Sequence, residues 1–298
     1  MLLPGTSRID REAEFATLAS WYKSQRLRLV LGVSIVGLLV LIAAKAGVAQ
    51  DKPQAEANSR DDLPEANPGR PTVSTPATLT PVGYLQIEAG VIGAERSGEF
   101  ANRTGFNAVV KLSLTRRIEL MALTEPVVVS DQGNRTDTHP GDVFAGLQAV
   151  IYHGEGMRPT VSASYFRRLY SGSAPDFDIG SSRQGALILA SFDLRNFHVD
   201  ANGIVAEQIS DSGAHRAQFG QTLSVSHPLV RRFGLTGEIW HFSQPLINSN
   251  AAGLLLAPTY TVNRFLVIDA GFNRGLTTTS TRWAVFMGFT YLLPKRLW

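Results

Sequence analysis

Apolar and polar residues alternate along most of the chain from residue 83 onward. Within each segment every second side chain is apolar and those between are small or polar, which is the period of a pleated strand with two different faces. Strands of nine to twelve residues exceed the usual globular length and can cross a hydrocarbon layer when tilted. Twelve are predicted, at residues 83–93, 105–114, 118–129, 142–153, 160–168, 184–194, 197–207, 218–227, 233–242, 253–262, 265–274 and 283–293.

The predicted connections alternate between two classes. The short ones lie at residues 115–117, 154–159, 195–196, 228–232 and 263–264. The longer, polar ones lie at residues 94–104, 130–141, 169–183, 208–217, 243–252 and 275–282. Short turns on one rim and long loops on the other are typical of outer-membrane barrels. The pattern predicts an all-β fold, a closed antiparallel transmembrane barrel of about 12 strands in the bacterial outer membrane, with both chain ends on the periplasmic rim.

Alternation also assigns the two faces of each strand. In the last strand Trp283, Val285, Met287, Phe289 and Tyr291 share the face expected to meet lipid. The opposite faces carry more ionisable groups than a soluble core could hold, whereas a polar lumen can hold them. The lumen or solute-contact candidates are Glu88, Lys111, Glu119, Asp193, Asp200, Asn202, Glu238 and Asp269. For each of these residues, a structural ion pair in the barrel wall is the alternative interpretation.

Two segments precede the barrel, which spans residues 83–298. Residues 1–49 combine an N-terminal extension with a signal peptide, because Lys23, Arg26 and Arg28 precede a 16-residue apolar run that ends in small residues. An uncleaved membrane anchor is the alternative for this run. Residues 50–82 hold six prolines among polar residues and almost no large apolar side chain. That composition predicts a flexible, disordered periplasmic segment.

Composition narrows the function classes further. The chain has no Cys, which excludes thiol catalysis, disulfides and Cys-type zinc sites, and its His residues show no metal-ligand spacing. No cofactor and no metal is therefore expected. The net charge is +3 with scattered basic residues, which argues against a nucleic-acid partner.

Several segments resemble a known family. They are residues 176–180 (Asp-Phe-Asp-Ile-Gly), the strand at 197–207, residues 263–269, and residues 275–277 before the closing strand. Together they resemble the outer-membrane barrel family labelled "MetA-pathway of phenol degradation". The resemblance implies an outer-membrane channel or uptake protein, for hydrophobic or aromatic compounds among others. Gly288, Tyr291 and Leu293 also resemble the C-terminal signal read by the barrel-assembly machinery, a partner expected during insertion.

Three functions are compatible with such a barrel. The first is a channel or transporter for an unknown small-molecule solute, in which loop 169–183 folds over the lumen and Asp176, Asp178 and Arg183 are mouth contacts. The second is a structural or adhesive barrel without transport. The third, a lipid-modifying hydrolase, rests on the proximity of His241 and Ser243 alone.

Outer-membrane lipids are the remaining expected partner. A cation occurs at every predicted short turn and near the C-terminus, which suggests a ring that meets anionic headgroups. Cations that are merely tolerated in turns are the alternative explanation. The members of the set are Arg116, Arg117, Arg158, Arg195, Arg231, Arg232, Arg264, Lys295 and Arg296.

Overall fold

The computed structural model describes residues 63–132, 135–177, 182–210 and 212–298. The predicted signal peptide lies outside these ranges. Thirteen strands are present: β1 (Leu85–Glu95), β2 (Asn102–Ser113), β3 (Ile118–Gln132), β4 (Arg135–His139), β5 (Val143–Tyr152), β6 (Thr160–Tyr170), β7 (Ser182–Leu194), β8 (Phe197–Ile209), β9 (His215–Val230), β10 (Phe233–Gln244), β11 (Ser249–Asn263), β12 (Leu266–Gly275) and β13 (Trp283–Leu292).

Twelve of these strands form a closed antiparallel barrel. Strands adjacent along the chain pair with each other, and β1 pairs with β13 from Gln86↔Leu292 to Glu95↔Trp283, which closes the ring. Closure gives the backbone amides of every barrel strand partners on both sides, as a hydrocarbon environment requires. The predicted twelve-stranded barrel is confirmed, and it places the chain in the bacterial outer membrane.

The remaining strand, β4, pairs only with the far end of β3, from Val128↔His139 to Gln132↔Arg135. The two form a hairpin arm that projects beyond the barrel, because β5 pairs with β3 only as far as Thr124. The prediction of an irregular loop at 130–141 is wrong in this part. Polar residues such as Thr136 and Asp137 break the apolar alternation, but they leave the backbone free to continue the hydrogen-bonded ladder.

Continuation of the backbone ladder through polar residues also lengthens other strands on the rim of the long loops. β9 and β11 extend into the predicted loops, so the connections there shrink to residues 210–214 and 245–248. On the opposite rim the turns at 195–196, 231–232 and 264–265 have two residues each. Arg195 and Arg231 adopt left-handed φ angles of 58° and 48° in these turns. We assign the short-turn rim, which also carries the C-terminus, to the periplasm.

The outer surface of the barrel is an apolar belt. Ile239, Val285 and Met287 expose 60–63% of their surface, while Ala284 and Thr290 on the opposite face of β13 are buried. This confirms the predicted lipid-facing side of the last strand. None of the described segments contains a helix long and apolar enough to cross a membrane.

Most of residues 63–82 lies inside the barrel, with Leu63 and Glu65 exposed at the periplasmic end, and we call this segment the plug. The chain enters at the periplasmic end, where Ala66 N donates to the carbonyl of Arg264 in the β11–β12 turn. It rises to about mid-height at Arg70, returns to Thr80 beside Glu119 at the base of β3, and continues into β1. The expectation of a flexible periplasmic segment is wrong for these residues, while residues 50–62 lie outside the described ranges.

Replacing Met287 by Arg tests the lipid-facing belt. Met287 lies near the middle of β13 and is 63% exposed. An Arg side chain at the midplane of a bilayer should destabilise the barrel by about 2–4 kcal/mol. Denaturant unfolding in phospholipid vesicles measures the effect, with Leu297→Arg in the exposed C-terminal tail as control. Equal stability of both variants would place β13 outside the hydrocarbon layer.

Candidate functional site

The deepest anchor of the plug is Arg70. Its Nε and Nη2 donate to the two carboxylate oxygens of Asp269, each at 3.1 Å, and its Nη1 donates to Asn107 Oδ1 at 3.0 Å. The guanidinium fits against the wall because Gly90 and Gly288, which face each other on β1 and β13, have no side chain. A Cβ atom at either position would lie 2.6 Å from Arg70 Nη2. A bidentate, charge-assisted pair of this kind fixes orientation as well as position.

Glu238 holds the next residues of the plug. Its carboxylate accepts from Val73 N at 2.8 Å, from Ser74 N at 2.6 Å and from Ser74 Oγ at 2.6 Å. Ser74 Oγ, whose single proton goes to Glu238, also lies 2.8 Å from Thr222 Oγ1 and can accept from that hydroxyl. Asn202 binds both backbone groups of Thr75, because its side chain accepts from Thr75 N at 2.6 Å and donates to Thr75 O at 2.9 Å. Plug amides are therefore satisfied by side chains of β8 and β10, and β9 contacts the Ser74 hydroxyl.

The ascending and descending arms of the plug are held similarly near the periplasmic end. Glu88 accepts from Gly69 N at 3.0 Å and forms an ion pair with Lys111 at 2.6 Å. Glu119 accepts from both the amide and the hydroxyl of Thr80, at 2.8 and 2.6 Å. These contacts place four wall carboxylates, those of Glu88, Glu119, Glu238 and Asp269, directly on the plug.

The structure thus brings most of the predicted lumen candidates together around the plug. Asp200 acts through Ser191, which donates to Asp200 and accepts from Ala77 N at 2.7 Å. Asp193 lies apart, at the periplasmic rim, where its exposed carboxylate is 2.7 Å from His198 Nδ1. The role of these residues as solute contacts stays a prediction.

Above the plug the lumen contains a chamber of about 570 Å3. Its floor is formed by Arg70, Pro71, Thr72, Val73 and Thr75 of the plug. Its walls are mainly apolar, with Met121, Leu123, Leu187 and Leu255 among them. Six aromatic side chains also line it: Phe144, Phe166, Phe177, Trp240, Phe242 and Phe286. The lumen is therefore polar towards the periplasm and apolar towards the outside.

Residues 171–177 roof the chamber, and we call them the lid. Arg103, whose side chain is 1% exposed, donates to Pro175 O at 3.0 Å, stacks on Phe177 with its Cζ 4.2 Å from the ring centre, and pairs with Glu125. Phe177 also meets Phe100 edge to face at 5.7 Å. The expected folding of this loop over the lumen is confirmed for the part that the structure describes.

A second set of contacts holds the start of the lid. Asp142 accepts from Gly172 N at 2.8 Å and from Arg168 at 3.0 Å. Pro140 O accepts from the amides of Ser173 and Ala174 at 3.0 and 3.2 Å. The lid is thus fastened to the β4–β5 connection as well as to Arg103.

The carboxyl group of Asp176 in the lid has a strongly raised pKa. Burial raises the pKa of its carboxyl group from 3.8 to about 7, with the Glu99 and Asp142 carboxylates adding to the rise and Arg103 and Arg168 opposing it. Asp176 lines the chamber, as the prediction of a mouth contact requires. Near neutral pH this lid residue changes charge while facing the chamber.

The other two predicted mouth contacts have different outcomes. Asp178 lies outside the described residues. Arg183 is exposed and does not line the chamber, whereas its neighbour Ser182 does. A register shift against β8 between Ser182 and Gln184 places Ser182 in the inward position that strict alternation assigns to Arg183. Arg183 is therefore not a chamber contact, and its role at the mouth stays a prediction.

His241 and Ser243, the basis of the hydrolase hypothesis, have structural partners. The ring nitrogens of His241 lie 3.1 Å from Gln221 Oε1 and 3.3 Å from Asn250 Oδ1. Ser243 Oγ accepts from Phe219 N at 2.8 Å. An imidazole held at both nitrogens has none left to activate a serine hydroxyl.

Sequence reasoning missed the residues that define the chamber and its two covers. The aromatic wall had a detectable signal, because Trp240 and Phe242 share the inward parity of Glu238 along β10. Arg70 had no such signal, since it lies in a Pro-rich segment without periodicity. Arg103 was inside a predicted loop rather than a strand.

Comparisons with known proteins agree with this fold. A COG4313 outer membrane channel from Pseudomonas putida F1 superimposes with a TM-score of 0.55 at 13% sequence identity, covering 77% of this chain and all of that one. The NanC porin gives 0.49 at 12% identity, covering 69% of this chain and 100% of that one, and the KdgM porin gives 0.48 at 8%, covering 69% and 98%. No family model and no curated protein matches the chain. At 13% identity the likeness to the COG4313 channel shows the barrel fold alone, and the family resemblance stays a prediction.

Asp176 predicts a pH dependence of lid docking. The pKa of the Asp176 carboxyl group is raised in the docked lid, so Asp176 binds a proton more tightly when the lid is docked than when it is undocked. Docking should therefore be strongest below about pH 4 and weaken as the pH rises through about 7. Asp176→Asn should abolish this dependence. Hydrogen exchange of the lid amides, corrected for intrinsic rates, measures it.

The control is Asp137→Asn, which removes an extracellular carboxylate paired with Arg135 on the hairpin arm. That variant should keep the pH dependence of the wild type. A wild-type lid whose protection is constant across this window would refute the role given to Asp176.

Proposed function

We propose that the chain is an outer-membrane channel that admits small, uncharged hydrophobic or aromatic compounds. The observation that carries the proposal is the mainly apolar chamber, whose walls with six aromatic side chains offer an apolar or aromatic solute a place to bury its surface. Cavities of roughly 300–1,000 Å3 with mainly apolar walls and a few polar groups are typical of small-molecule sites. The resemblance to the phenol-degradation barrel family points to the same solutes.

The charges around the chamber favour neutral solutes over anions. Arg70 is paired with Asp269, Arg103 with Glu125 and Arg168 with Asp142, so the cations near the chamber have carboxylate partners at hydrogen-bonding distance. An anion entering would lose its hydration without meeting an uncompensated cation. A neutral aromatic solute has no such cost, and it gains about 25 cal/mol for each Å2 of apolar surface removed from water.

Passage to the periplasm requires movement of the plug. The floor of the chamber is made of plug residues, and the lower lumen is filled by the remainder of the segment. Its anchors are hydrogen bonds and ion pairs, which water can replace at a net cost of about 1 kcal/mol per neutral bond and more for charged ones. A segment held this way can detach without disrupting the barrel. The lid performs the matching role on the outer side.

A barrel without transport is the second candidate, since both covers are closed in the structure. The chamber argues against it, because a purely structural lumen is most stable when its interior is fully packed. Solute flux decides between the two. Vesicles containing the folded protein should take up phenol or toluene faster than vesicles without it, and equal rates would refute the channel.

Narrowing the chamber should block the flux. Leu187 lines the chamber, and the adjacent Ile188 faces outward with 51% exposure. Leu187→Trp should reduce uptake several-fold because the larger ring occupies chamber volume. Ile188→Trp is the matched control and should leave uptake unchanged. Equal uptake by both variants would mean that solutes bypass the chamber.

Tethering the plug tests its movement. The chain has no Cys, so a single disulfide can be introduced without competing thiols. Ser74→Cys with Thr222→Cys joins the plug near its tip to β9, at a site where the two hydroxyl oxygens are 2.8 Å apart. Oxidation should abolish uptake and reduction should restore it. Uptake that persists in the oxidised form would show that the plug need not move.

The matched control is Thr80→Cys with Ser113→Cys, whose hydroxyls are 2.9 Å apart. This pair also neighbours a glutamate, Glu119, but it ties the plug only where the chain enters β1. The tip stays free, so uptake should survive oxidation. Loss of uptake in both tethered variants would point to general damage rather than gating.

A further inference from the structure

The periplasmic rim carries a one-sided concentration of cations. Each of the five periplasmic connections and the C-terminal tail contributes at least one Arg or Lys, and all are exposed. We call this set the basic rim. It consists of Arg116, Arg117, Arg158, Arg195, Arg231, Arg232, Arg264, Lys295 and Arg296.

Acidic side chains do not balance this charge. Within the described chain, the exposed acids at this end of the barrel are Glu65, Glu155 and Asp193, and the last is paired with His198. None of the ion pairs seen there involves Arg195, Arg231, Arg232 or Arg264. Nine cations against three acids leave a net positive ring.

The extracellular rim has no comparable excess of positive charge. Its charges are mixed and locally paired: Arg135 lies 2.8 Å from Asp137, Arg168 lies 3.0 Å from Asp142, and His215 lies 2.7 Å from Glu207. The positive excess is thus a property of one end of the barrel. Turn tolerance alone would not produce this asymmetry, because loops on both rims accept Arg.

An apolar and aromatic girdle adjoins the basic rim on the outer surface. Phe197 and Phe233 are 44% and 54% exposed. Phe197 stacks on His227 with ring centres 4.6 Å apart, and Phe233 packs on Tyr260 at 4.7 Å. Arg264 lies over the ring of Phe265 at 4.7 Å. Aromatic rings at this level are typical of the membrane interface, so the cations beside them lie at headgroup depth.

We propose that the basic rim binds anionic phospholipid headgroups, such as those of phosphatidylglycerol, in the periplasmic leaflet of the outer membrane. The phosphate groups meet the guanidinium groups of the turns, while the acyl chains lie along the girdle above. Guanidinium binds phosphate through paired hydrogen bonds, which suits a two-residue turn presenting its side chain outward. Contact of this kind fixes the depth and orientation of the barrel.

Lipid-dependent stability tests the proposal. In phosphatidylcholine vesicles, adding phosphatidylglycerol should raise the thermal midpoint for loss of the folded, heat-modifiable form, and high salt should cancel the rise. Replacing Arg195, Arg231, Arg232 and Arg264 together by Gln should remove the rise. Native mass spectrometry should show lipid affinity falling by roughly fivefold for each cation removed.

Two control variants distinguish loss of lipid binding at the basic rim from a general loss of stability. Replacing the same four residues by Lys keeps the charge and should keep most of the rise, although an ammonium group cannot form the paired hydrogen bonds of a guanidinium group. Replacing Arg96, Arg135, Arg216 and Arg282 at the extracellular end by Gln removes the same charge and should also keep it. A rise that survives in the periplasmic Gln variant, or that is lost equally in the extracellular variant, would overturn the proposal.

A soluble acidic partner gives a distinct result. If phosphatidylglycerol has no effect but polyglutamate raises the midpoint of the wild type in zwitterionic vesicles, the rim binds an acidic polypeptide and the lipid proposal is wrong. None of these outcomes depends on solute uptake, so the channel proposal is tested separately.

Discussion

The interior of this barrel depends on hydrogen bonds between the plug backbone and carboxylate or amide side chains of the wall. Twelve strands enclose more space than inward side chains fill, since a barrel of about eight strands is already just wide enough for them. The wall nevertheless presents buried charges such as Glu238 and Asp269, which would be costly without partners. The plug supplies those partners from the same chain. Its amides and Arg70 occupy the positions that water or solute would otherwise take.

This arrangement divides the lumen into two levels with different chemistry. The lower level is polar because it must hold an extended segment whose amides need acceptors, and prolines within that segment reduce the amides to be satisfied and the entropy lost on ordering. The upper level has no backbone to accommodate, so its wall can be apolar. The change occurs along single strands, as on β10, where Glu238 contacts the plug while Trp240 and Phe242 line the chamber.

Sequence alternation predicted the barrel well because its period is imposed by two different environments across one wall. Alternation failed where a strand does not have both a lipid face and a lumen face, or where a bulge interrupts its register. β4 has no lipid face, so its strand lacks the apolar alternation, and the shift at Ser182 moves Arg183 away from the chamber. The plug was missed for a deeper reason. Low hydrophobicity predicts disorder when order must come from apolar burial, whereas residues 63–82 are ordered by polar partners supplied by nine different strands, most of them far along the chain.

In the proposed channel, solute binding and gating are linked because plug residues form the chamber floor. A solute that bound the closed chamber much more tightly than the open one would hold the plug in place and block its own release. A conducting site must bind strongly enough to admit a solute and weakly enough to release it. Apolar contacts fit this requirement, since they are non-directional and change little when Pro71 and Val73 move aside. The paired arginines around the chamber serve the same purpose in the proposed channel, because they leave no uncompensated cation that would trap an anionic solute.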